Sequence, residues 1–156
     1  MKRLLDVSVL LAAIWKDHPE HQRAAASLED KPLAVCPLAT LGFLRISSDP
    51  GYPFAAPMKE CRKLLRLFQQ ERDVDFVPDD LPVLGARAET SKQTTDIYLA
   101  SLADRHGMKL LTLDRRINHP AVESVPSLAE ERRGSARRRA AGRGRGTSAT
   151  GAIRPG

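Results

Sequence analysis

Short apolar runs alternate along the chain with longer stretches in which apolar residues recur every three or four positions. Leu4 and Leu5, leading into Asp6, predict a short buried strand that ends on a carboxylate. Ser8 is placed to cap a helix over residues 9–15, and Pro19 suits the first turn of a second helix reaching about residue 28. Leu33, Ala34, Val35 and Cys36 form a second apolar strand stopped at Pro37, and apolar residues at 38, 41, 43, 44 and 46 fit a helix behind it. Residues 49–53 carry turn chemistry. Apolar positions 58, 61, 64, 65 and 68 make a helical stripe over residues 58–71, with basic residues opposite. Residues 75–78 predict a third strand and its stop, 84–88 a short helix, and 91–94 a polar loop. Thr94 or Thr95 then caps a helix from Asp96 to about His106, closed by Gly107. Residues 109–113 read as a fourth strand ending on Asp114, and 122–125 as an edge strand. Strands apolar on both faces and alternating with helices predict an α/β fold, with a central, mostly parallel sheet between helical layers.

Composition divides the chain. At 156 residues it has the length of one domain. Residues 1–126 carry 17 basic and 17 acidic residues, whereas 127–156 carry eight Arg against two Glu, so the formal charge of +6 belongs to the tail. Six of the ten glycines also lie in 134–156, and no aromatic residue follows Tyr98. The expectation is a folded domain over 1–126 and a disordered Arg/Gly-rich tail over 127–156, which has too little apolar surface to offset ordering entropy. Net charge therefore gives no ground for reading the fold itself as a basic nucleic-acid module. The tail either attracts RNA through counterion release or is an extension without a selected role. Cys36 and Cys61 form no C-x-x-C pair, against a zinc ribbon or a dithiol redox site. The longest apolar run, residues 9–15, falls far short of the ~20 residues of a membrane span. The opening residues faintly resemble a signal peptide, but Asp6 interrupts them and no A-x-A site follows. The expected setting is the cytoplasm, with no membrane partner.

In an open parallel sheet, ligands bind off the carboxyl ends of the strands. Asp6 and Asp114 each end a predicted strand, and Asp96 opens a helix that can face the same edge. Three carboxylates gathered there repel one another, and Mg²⁺ or Mn²⁺ is the usual way to hold them ionised. Such a site activates water and stabilises charge on a phosphodiester. Each acid also has a simpler role: Asp6 as a helix cap, Asp96 as a partner of the helix dipole, Asp114 as a turn former. Ser8 either supports a metal-bound water or caps its helix. Arg45, Lys92 and Arg115 are candidates for RNA phosphate contact, with a solvated surface as the alternative. His18 and His21 lack the further ligands a metal site needs, His106 and His119 are expected on the surface, and Trp15 in the core.

Five segments, in order, carry a family resemblance. The run from Leu4 to Leu11 around Asp6 resembles the opening motif of PIN-domain proteins, specifically the VapC toxins of toxin–antitoxin pairs. The segment Thr94-Thr95-Asp96-Ile97-Tyr98-Leu99-Ala100-Ser101-Leu102-Ala103 resembles the family's T-D-x-Y-L-A-x-L-A stretch, and Thr112-Leu113-Asp114 its T-x-D segment. His18, His21 and Ala24 match an H-x-x-H-x-x-A stretch, and Leu41-Gly42-Phe43-Leu44-Arg45 resembles the helix carrying the family's second acid. The resemblance spans residues 3–126. It implies a three-layer α/β/α PIN-like domain, metal-dependent cleavage of structured RNA such as tRNA or rRNA, a VapB-like antitoxin partner and a homodimer. Asp6, Asp96 and Asp114 match three of the family's four acids. The fourth position, usually Glu, is Thr40. Glu29, Asp30 and Asp49 are the nearest acids, and none aligns. A neutral hydroxyl is a poor ligand for a hard cation, so the site is expected to be weakened. The competing expectation is a catalytically disabled module that binds antitoxin or RNA. A phosphatase-like or response-regulator-like domain also clusters Asp at strand ends, but no Asp-x-Asp motif occurs near Asp6.

Overall fold

The computed structural model describes residues 1–130 and 133–134. Residues 1–125 form one compact unit, built as β1 (Arg3–Leu5), α1 (Val7–Ile14), α2 (His21–Ser27), β2 (Leu33–Val35), α3 (Pro37–Ser47), α4 (Met58–Glu71), β3 (Asp75–Phe76), α5 (Thr94–Arg105), β4 (Lys109–Thr112) and β5 (Val122–Ser124). The five strands make one sheet in the order β3-β2-β1-β4-β5. All four pairings are parallel; Leu4 lies opposite Ala34 on one side and Leu110 on the other. The central strands are near-continuously buried, as a sheet covered on both faces requires. The edge strand β3 is exposed and β5 half-buried. The α/β/α arrangement expected from the alternation of runs is therefore present. Among the described residues no helix is long and apolar enough to cross a membrane.

Local chemistry moves several element boundaries. Asp6, not Ser8, caps α1: its carboxylate accepts from the Val7 amide, and the helix starts two residues before residue 9. Neither Thr94 nor Thr95 caps α5. Thr94 lies inside the helix and donates its hydroxyl to the Thr90 carbonyl. A 3₁₀ turn over Ser91–Gln93 replaces the expected polar loop and leads straight into α5. The segment expected as a short helix at 84–88 is a 3₁₀ turn at Val83–Gly85. β4 ends at Thr112, so Asp114 sits two residues past the strand. Gly107 takes φ +63° and ends α5, as predicted. His106 and His119 lie half-buried at the surface: His106 pairs with Asp80, and the His119 ring accepts from the Ala121 amide. Trp15 is half-buried against the core, and its indole N–H donates to Ser47.

The core holds Leu4, Leu5, Leu10, Phe43, Leu99, Leu102, Leu110 and Leu111, all at or near zero exposure. Helices α1 and α3 pack closely where Gly42 faces Val7: a β-carbon at position 42 would lie 2.7 Å from a Val7 methyl. The β-branched Val7 has little rotamer freedom in a helix. Gly42→Ala is therefore expected to destabilise the domain by about 1–3 kcal/mol, the usual cost of overpacking, measured by urea unfolding; an unchanged midpoint would contradict this packing.

Beyond residue 125, Ser127 and Glu130 form a capping box that opens a helical turn: the Ser127 amide and hydroxyl donate to the Glu130 carboxylate, and the Glu130 amide donates to the Ser127 hydroxyl oxygen. Residues 131, 132 and 135–156, most of the predicted Arg/Gly tail, lie outside the described residues.

A candidate active site at the carboxyl edge of the sheet

Parallel strands direct all their carboxyl ends to one edge. Asp6 follows β1 directly, and Asp114 follows the adjacent β4. Asp96 lies in the first turn of α5. Burial raises the Asp96 carboxyl above its ordinary range, the Asp6 and Asp114 charges raise it further, and Arg116 opposes them. Asp96 thus lies within electrostatic reach of both Asp6 and Asp114.

Their environments differ. Asp6 is buried and held by three donors: the Val7 amide at 2.6 Å, the Ser8 hydroxyl at 2.6 Å and the Thr112 hydroxyl at 2.7 Å. Thr112 is fully buried, and its oxygen also accepts from the Asp114 amide at 3.0 Å. One hydroxyl thereby ties the Asp6 side chain to the backbone of Asp114. Ser8 completes the network by accepting from the Leu113 amide. Asp114 is clasped by Arg116. Its Oδ1 accepts from Nε at 3.0 Å and from the Arg116 amide at 2.8 Å, and its Oδ2 accepts from a terminal guanidinium nitrogen at 2.7 Å. These bonds pull the Asp114 carboxyl below its ordinary range.

Asp96, Asp114 and Arg116 line a cleft of about 480 Å³ that also includes Arg87, Thr90 and Lys92. Of the phosphate-contact candidates, Lys92 alone lies in this cleft. Arg115 instead donates to the Val125 carbonyl at 3.4 Å. Arg45 is exposed on α3. Ser8 belongs to the Asp6 network. Thr40 lies in the first turn of α3, and its hydroxyl is shared between the Cys36 and Pro37 carbonyls, both at 3.0 Å. Its proton is spent on the helix backbone. The sequence expectations omitted Arg116 and gave Thr112 no role. A Thr two residues before a strand-end Asp was the available signal for Thr112.

Among the described residues no group of three or more His, Cys, Asp or Glu is gathered closely enough to hold a metal ion as the side chains stand. The donor chemistry nevertheless suits a hard divalent cation: carboxylate oxygens around a cleft that already draws in a guanidinium. The fit is to an ion that keeps several waters, not to a closed protein cage.

Comparison with known proteins agrees with this architecture. The PIN domain family profile matches residues 3–123. The chain is 32% identical over 140 residues to Ribonuclease VapC44 of Mycobacterium tuberculosis, covering 84% of this chain and 96% of that protein. It is 37% identical over 126 residues to Ribonuclease VapC38 of the same organism, covering 71% and 84%. A crystal structure of VapBC2 from Rickettsia felis bound to a promoter DNA fragment contains a chain with a similar fold, at TM-score 0.53 and 14% identity, over 80% of this chain and 97% of that one.

Proposed function

The chain belongs to the PIN-domain family as a homologue of VapC ribonucleases, and from that premise we propose that it is a metal-dependent endoribonuclease toxin acting on structured RNA. The observation that supports this reading is geometric: Asp96 and Asp114 line one cleft, and Asp6 follows β1, the strand beside the one that leads to Asp114. Asp6, Asp96 and Asp114 would hold Mg²⁺ or Mn²⁺. When bound, the ion supplies an activated water and charge stabilisation on the phosphodiester. Thr112 and Ser8 fix the Asp6 carboxylate in place, and Arg87 and Lys92 offer positive charge to the RNA backbone along the cleft. The expected partners are a VapB-like antitoxin, tRNA or rRNA as substrate, and a second copy of the chain; the expected place of action is the cytoplasm.

Thr40 limits the activity, because three acids attract a cation less strongly than four. Thr40→Glu is expected to raise Mn²⁺-dependent cleavage of a mixed tRNA and rRNA pool about tenfold or more, since a well-placed carboxylate acting as base is worth 10²–10⁴. No gain would count against the assignment of position 40 to this site. The second reading, a module that binds RNA or antitoxin without cutting, is favoured by the same hydroxyl, whose proton is committed to the α3 backbone. It predicts weak metal affinity and retention of RNA without cleavage by the parent chain.

A further inference from the structure

We infer that Arg116 is a tethered stand-in cation: its guanidinium occupies Asp114 while the site is empty and transfers to a substrate phosphate as the metal takes its place. The inference rests on the metal-site reading above. One residue engages both oxygens of Asp114, through its amide and through two guanidinium nitrogens. The Arg116 side chain is 90% exposed, whereas that of Asp114 is 26% exposed. The guanidinium therefore covers the carboxylate from the solvent side with little packing of its own, and its release costs the two bonds to Asp114 and the attraction to the neighbouring Asp96. Arg116 also lines the cleft with Arg87 and Lys92, so a phosphodiester bound there lies within reach of the same side chain. A guanidinium pairs with phosphate in the same two-pronged geometry it uses for carboxylate. An incoming phosphate thus offers Arg116 an equivalent partner and frees Asp114 at the moment the substrate arrives. By linkage, the phosphodiester then raises metal affinity, and the metal raises phosphodiester affinity by the same factor.

The test is Mn²⁺ titration, followed by electron paramagnetic resonance, of the full-length parent, Arg116→Gln, Arg116→Lys and, as a charge control in the same cleft, Arg87→Gln. Melting curves establish that each variant is folded. Both Arg116 variants are expected to bind Mn²⁺ about fivefold more tightly than the parent, the upper range for an exposed ion pair, while Arg87→Gln changes affinity less than about twofold. Arg116→Lys separates the fork from its charge, because an ammonium keeps the charge but cannot grip both oxygens in a plane. Parent-like affinity in Arg116→Lys would show a long-range charge effect and overturn the latch. A phosphorothioate DNA dodecamer is expected to raise Mn²⁺ affinity about fivefold more in the parent than in Arg116→Gln; equal responses overturn the transfer to phosphate. Equal binding by every variant overturns the latch and leaves the nuclease reading standing. No binding by any of them overturns both.

Discussion

Asp96→Asn is expected to make the metal-free protein more stable and, at the same time, to abolish its cleavage of RNA. The two effects have one cause. Asp96 is half-buried opposite Asp6 and Asp114, and its carboxyl is raised first by burial and then by those two charges. A group whose folded-state value lies above its unfolded one costs the fold stability as pH rises through the carboxylate range. At neutral pH an amide of the same shape removes that cost. The same substitution removes one of three charged oxygen donors from the metal, and cleavage is expected to fall at least about a hundredfold, as when a stabilising group is lost from a transition state. Added Mn²⁺ should then reverse the order of melting temperatures, because ligand that binds only the folded state stabilises the parent and not the variant. Melting curves with and without Mn²⁺ read both effects. An Asp96→Asn protein that is less stable without metal, or that still gains stability from Mn²⁺, would contradict the placement of Asp96 among the three acids.

Phe43→Ala is expected to cost about 3–5 kcal/mol, the range for emptying a fully buried aromatic site. Phe43 has zero exposure and is the largest of the fully buried side chains. It projects from α3, one residue after the glycine that seats α3 against α1. The cavity would loosen the helix bearing Thr40 from the helix that Asp6 caps. For a domain of this size the loss corresponds to a melting temperature lower by roughly 10–20 °C. Phe43→Leu, which keeps most of the volume, is expected to cost less than about 1.5 kcal/mol. Differential scanning calorimetry of the two variants distinguishes a packed core position from a tolerant one. A fall of less than about 3 °C for Phe43→Ala would contradict the burial described here.

Much of the architecture was legible in the order of apolar runs. The stripe at 58, 61, 64, 65 and 68 is α4, with the boundaries Met58–Glu71. Leu4-Leu5, Leu33–Val35 and Lys109–Thr112 are strands, each within a residue of its expected range, because a central parallel strand needs apolar side chains on both faces. The turns and caps were less legible, because they depend on side-chain hydrogen bonds with several possible partners. Ser8 looked like a cap, but the carboxylate two residues earlier reaches the Val7 amide first, and the Ser8 hydroxyl then serves that carboxylate. Residues 91–93 are polar enough for a loop, yet form a 3₁₀ turn because the Thr90 carbonyl accepts from the Gln93 amide. At the candidate site, Asp114 lies two residues beyond the end of β4, whereas the position of Asp6 at the end of β1 followed from strand pattern alone. The choice between Arg115 and Arg116 did not. Adjacent arginines after a turn point in different directions, and only the turn geometry sends one to the Val125 carbonyl and the other to Asp114. Thr112 was visible as part of a motif, but its bond to Asp6 needs β4 to lie beside β1.

Incubation of the purified chain with a mixed tRNA and rRNA pool, in Mn²⁺ and in EDTA, beside Asp96→Asn and Thr40→Glu, tests the central claim most directly. The account predicts cleavage in Mn²⁺ that disappears in EDTA, is lost in Asp96→Asn and is faster in Thr40→Glu. Cleavage that survives in EDTA or in Asp96→Asn would contradict it, as would RNA left whole by both the parent and Thr40→Glu.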